Sequence, residues 1–65
     1  MKVNGEKIKL IRESRSLTLA EFAEKAKVSR QAADAWERGN VRSFTTLHKI
    51  AKLLDVPEQV LVEMD

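Results

Sequence analysis

Four times along this 65-residue chain, at Asn4, Thr18, Ser29 and Ser43, a side chain that can cap a helix stands just ahead of apolar residues spaced three and four apart. Each cap offers an oxygen to backbone N–H groups that the first turn of a helix leaves without partners. Behind the caps run Ile8, Ile11 and Leu17; Leu19, Phe22, Ala23 and Ala26; and Phe44, Leu47, Ile50, Ala51 and Leu54. Thr18 and Glu21 also make the T-x-x-E pattern of a capping box. Helices are therefore predicted over about 5–15, 19–26, 30–38 and 44–54, and no stretch reads convincingly as a strand. The only proline, Pro57, suits the first turn of a fifth helix over about 57–63, where its missing N–H is not needed. Gly39 stands where a left-handed residue would end the third helix. Connections of about two to four residues force such helices to cross steeply, so the expected fold is an all-α, compact five-helix arrangement.

A chain of this length is expected to be one domain, residues 1–65, burying roughly 60% of the surface its unfolded form exposes. Its stability should be about 3–10 kcal/mol. It has no cysteine, hence neither a disulfide framework nor a thiolate metal site. The N-terminal "MKVNGEKIKL" does not read as a signal peptide, and apolar runs of two or three residues exclude a spanning helix, so a soluble, cytoplasmic protein is expected. The net charge of +2 is unevenly spread: residues 1–42 hold 10 Lys and Arg against 6 Asp and Glu, and residues 43–65 hold 2 against 4. A basic front is what binding to a polyanion needs, although many ordinary proteins have one.

The stretch "VSRQAADAWERGN", residues 28–40, separates two faces at 100° per residue. Ala32, Ala33 and Trp36 fall on one side of the helix; Arg30, Gln31, Asp34 and Arg38 fall on the other, with Ala35 and Glu37 at the borders. A solvated face over a core face would look the same. Three features argue for more: Arg and Gln follow the cap directly, the inner face is mostly alanine and permits close approach, and the preceding helix lies only about three residues upstream. Two tightly joined helices, the second with Arg and Gln exposed at its start, describe a helix-turn-helix.

Here the sequence resembles a known family. "LTLAEFAEKAKVSRQAADAWERGN" followed by "TTLHKIAKLLDVP" is similar to the Cro and lambda-repressor type of helix-turn-helix DNA-binding domain, the XRE family, from about Ile8 to Leu61. The resemblance implies that the third helix is a recognition helix, with Arg30, Gln31, Ala32, Asp34 and Ala35 toward the base edges of double-stranded DNA. Arg30 would suit guanine and Gln31 adenine, because each offers paired hydrogen-bonding groups. The helical wheel turns Ala32 inward while the family places it near DNA, where its methyl could touch that of a thymine. Thr18, Ser29, Arg38, Arg42, Ser43 and Phe44 fall where phosphates would be gripped, Ser43 and Phe44 through backbone N–H groups at a helix start. Arg12 and Glu37 match a pair that tethers the first helix to the recognition helix; two unrelated surface charges are the plain alternative.

The chain departs from the family pattern at several positions. Leu19 stands where members commonly carry a glutamine that braces a backbone contact, and Ala35 where a longer polar reader is frequent. Asp34 brings a negative charge that could accept from a cytosine amino group or repel phosphate. Ser16, Lys27 and Asp55 occupy turn positions often held by glycine, and a left-handed Lys27 would cost about 1 kcal/mol.

One histidine, no cysteine and no glycine-rich phosphate loop do not describe an enzyme, and no metal or cofactor is expected. His48 reads as a half-buried structural residue and Trp36 as core rather than a stacking platform. Leu10 and Leu53 lie off the main stripes. A homodimer on a two-half-site operator would use Val60, Leu61 and Met64, unless these residues merely close the core. The rival to a DNA-binding repressor is a protein-interaction module, such as an antitoxin or adaptor subunit, that keeps the fold and binds another protein.

Overall fold

The computed structural model describes residues 2–63 of the chain. Four α-helices follow one another, α1 (Gly5–Ser14), α2 (Leu19–Ala26), α3 (Arg30–Glu37) and α4 (Phe44–Leu54), and a short 3-10 helix, Glu58–Leu61, comes last. The four predicted caps all close: Asn4 accepts from the Lys7 N–H, Ser29 from that of Ala32 and Ser43 from that of Thr46, each at 3.1 Å. Thr18 accepts from the Glu21 N–H at 3.1 Å while the Glu21 carboxylate accepts from the Thr18 N–H at 2.8 Å. Hydrogen bonding to the carboxylate from the Thr18 backbone N–H foremost, and from the Thr18 hydroxyl, holds the Glu21 carboxyl below its ordinary pKa. Observed bounds differ from the predicted ones by one residue at the ends of α1 and α3, within ordinary fraying.

The helix ends share one device. At each, two backbone N–H groups fold back: Ser16 to the Glu13 carbonyl and Leu17 to that of Arg12, Lys27 to Glu24 and Val28 to Ala23, Gly39 to Trp36 and Asn40 to Ala35, Asp55 to Lys52 and Val56 to Ala51. This paired closure requires a left-handed residue at the turning point. Ser16, Lys27 and Asp55 take φ near 58°, and Gly39 takes 90°. Three side chains thus occupy a conformation that only glycine adopts freely, as their positions in the sequence suggested. The apolar residue following each of them, Leu17, Val28 or Val56, is at least partly buried.

One apolar cluster gathers Ile8 from α1, Phe22, Ala23 and Ala26 from α2, Ala33 and Trp36 from α3, and Leu47, Ile50, Ala51 and Leu54 from α4. Val3, Val41 and Leu61 complete it from outside the α-helices. Phe44 departs from its predicted stripe: the residue is 71% exposed, because the first turn of α4 projects beyond the core. Leu53 packs against the cluster, whereas Leu10 stays exposed.

The predicted fifth α-helix is absent: Glu58–Leu61 is a single 3-10 stretch. Pro57 does not begin a helix but precedes it in an extended conformation, φ −65° and ψ 147°. Val62 then bridges Val3 in antiparallel fashion. The Asn4 N–H donates to the Leu61 carbonyl at 2.8 Å and the Glu63 N–H to that of Lys2 at 2.9 Å. A chain drawn into this pairing has no room for a further helical turn.

Candidate nucleic-acid interface

The position of α3 is fixed from its inner side. Ala33 is fully buried, and Trp36 meets Phe22 edge to face, with ring centroids 5.9 Å apart at 74°. Such a pair adds about 0.5–1.5 kcal/mol beyond its area burial. This places Trp36 in the core, as the wheel indicated. At the end of α3, Arg12 of α1 donates from Nε to Glu37 Oε2 at 2.5 Å and from Nη2 to Oε1 at 3.3 Å. Its Nη1 donates to the Leu17 carbonyl at 2.7 Å, so one guanidinium joins α1, the α1–α2 turn and α3. The two side chains are only 8% and 7% exposed. The predicted tether is a buried, forked ion pair.

A second lock was not read from the sequence. A Cβ on Gly5 would run into the Glu37 carbonyl and the Gly39 nitrogen, so the start of α1 lies directly against the end of α3. Only a residue without a side chain allows that approach. Arg15, likewise unassigned beforehand, donates from Nε to the Leu54 carbonyl at 3.1 Å and closes the end of α4. Cations are favoured at such ends, but no local pattern joins residues 39 positions apart.

The outer side of α3 is polar. Arg30 and Gln31 are exposed at its start, and among the described residues neither enters an ion pair. Ala32, Asp34 and Ala35 are half-buried. Arg38 pairs with Asp34 one turn back, their side chains 71% and 42% exposed. Leu19, Arg30, Gln31 and Asp34 line a shallow depression of about 370 Å³ between the starts of α2 and α3. Thr18, Ser29, Arg42, Ser43 and Phe44 are all exposed. The hydroxyl oxygens of Thr18 and Ser29 accept from backbone N–H groups. The Ser43 hydroxyl donates to Thr46 Oγ1 at 2.8 Å.

The α2–turn–α3 pair, joined by three residues and backed by α1 and α4, matches the helix-turn-helix family model over residues 8–61. The chain belongs to this helix-turn-helix family, of the XRE and Cro type. Membership implies DNA binding, and helix-turn-helix DNA-binding domains are typically not enzymes. No curated protein matches the chain.

Two expectations about this helix-turn-helix chain need correction. Leu61 is 0% exposed and closes the core, so it is not available to a partner; Val60 is half-buried, and Met64 lies outside the described residues. His48 is exposed, not half-buried, because its position on α4 faces Glu58, whose Oε1 lies 2.5 Å from its Nδ1. Among the described residues no helix is long and apolar enough to cross a membrane.

Proposed function

We propose that the chain is a sequence-specific regulator of the phage-repressor type, one domain over residues 1–65, that lays α3 in the major groove of double-stranded DNA. The observation that carries this reading is the placement of Arg30 and Gln31: both are exposed at the start of a helix whose inner side is locked by Trp36, Glu37 and the approach of Gly5. Arg30 reads guanine and Gln31 adenine, with Ala32, Asp34 and Ala35 alongside. Thr18, Ser29, Arg38, Arg42, Ser43 and Phe44 hold phosphates, Ser43 and Phe44 through the backbone N–H groups that open α4. As a homodimer the protein would address half-sites about 34 Å apart, one helical turn of DNA, with Val60 as a contact.

Selection of bound sequences from a random duplex pool at two salt concentrations tests this directly. Affinity should fall by roughly one logarithmic unit per tenfold salt for each phosphate neutralised. Arg30→Ala or Gln31→Ala should each cost about 1–3 kcal/mol and relax one base position. Arg42→Ala should weaken all sequences alike. Leu19 and Asp34 on the outer face favour a second reading, a protein-interaction module such as an antitoxin or adaptor subunit. A salt-insensitive protein partner and no retardation of any duplex would establish it instead.

A further inference from the structure

We propose that Leu19 is a specificity-determining residue, and that the depression it shares with Arg30, Gln31 and Asp34 takes the 5-methyl group of a thymine; the inference rests on the DNA-binding reading above. Leu19 opens α2 and is only partly covered by the core, so part of an apolar side chain remains in contact with water. Its neighbours in the depression are polar and lie in the first two turns of α3. Arg30 and Gln31 supply hydrogen bonds suited to purine edges, and Asp34 supplies an acceptor suited to an amino group. None of these three offers anything to a methyl group. Among the groups displayed in the major groove, the thymine methyl is the apolar one, and an apolar side chain is its natural complement.

The space permits this. The depression, about 370 Å³ and open to water, leaves room for a methyl group beside Leu19. Arg30 flanks the same space, which places the thymine next to the base pair that Arg30 reads. The depression then distinguishes thymine from cytosine by the apolar contact that Leu19 gains only with the thymine methyl group.

The test is a replacement scan on the selected duplex, each thymine exchanged in turn for deoxyuridine, which removes the methyl group and leaves the hydrogen-bonding edge unchanged. Burial of one methyl group corresponds to about fourfold in affinity. We expect a thymine beside the base pair that Arg30 reads whose replacement weakens binding by about that factor. In Leu19→Ala and Leu19→Gln, both compatible with a half-exposed helix start, that position should become indifferent to the methyl group, with retained helicity confirming the fold. A flat scan of the wild-type protein on a duplex it binds overturns the role of Leu19 alone. A sensitive thymine that remains equally sensitive in both variants overturns it too. Failure to bind any duplex overturns the DNA-binding reading and this inference with it.

Discussion

Glu37, the last residue of α3, and Arg38, which caps it, belong to ion pairs of opposite character. Glu37 turns inward to Arg12 of another helix, where both side chains are almost covered; Arg38 turns outward to Asp34 of its own helix, where both meet water. Removing two charges from water costs several kcal/mol per ion, so the inner pair exists only because each partner and the Leu17 carbonyl complete the other's hydrogen bonds. The outer pair carries little of that cost and gains little, about 0.3–0.5 kcal/mol for neighbours one turn apart. The inner pair fixes where α3 sits. The outer pair adjusts what α3 presents.

The comparison can be broken most forcefully at Glu37. Its replacement by alanine leaves the Arg12 guanidinium buried without a counter-charge and should cost about 3–5 kcal/mol, much of the stability available to a chain of this size. The double variant Arg12→Met with Glu37→Leu should recover most of the loss, as urea denaturation would show. Equal losses in the single and double variants would mean that the pair stabilises through its Coulomb attraction rather than by mutual satisfaction. Gly5→Ala tests the same seat from the backbone side: the new methyl group must displace the end of α3, at about 1–3 kcal/mol, visible as a lowered thermal midpoint. On the outer side, Asp34→Ala should leave stability nearly unchanged and release Arg38. With Arg38 freed for phosphate, binding to duplexes in general should tighten by about 1 kcal/mol at low salt, with a steeper salt dependence, while the preference at the base pair that Asp34 addresses is lost, both measured by titration of labelled duplexes. Smallest is Lys27→Gly, in the turn that joins α2 to α3. Relief of the left-handed strain, offset by the added freedom of the unfolded chain, should raise stability by at most about 1 kcal/mol. DNA selectivity should be unaffected.

Much of the helical frame was legible because its signals are local. A cap oxygen and the N–H it accepts from are three residues apart, and apolar spacing repeats within one turn; the positive φ values at Ser16, Lys27 and Asp55 follow from helix ends of the same form. The C-terminal segment was not legible in that way. Pro57 suits either the residue before a helix or its first turn, and the choice is made by the pairing of Val62 with Val3, far away in the sequence. Val3 and Val41 join the core although neither belongs to a periodic stripe. In the candidate interface, the exposed start of α3 could be read from the wheel, and the Arg12–Glu37 tether was implied by family resemblance with the wheel permitting it. Gly5 could not be read, because its role is an absence of atoms opposite a backbone 32 or more residues away.

The pairing of residues 2–4 with 61–63 has a mechanical consequence. Tension applied between the two ends of the described chain acts across a short antiparallel seam, whose hydrogen bonds, from Glu63 to Lys2 and from Asn4 to Leu61, are loaded one after the other rather than together. Under tension the seam opens as a zipper does, from its outer bond inward. The next elements to feel the force are Leu61 and the start of α1, and through Gly5 the end of α3. The helix that presents Arg30 and Gln31 therefore lies one step behind the first link to give way.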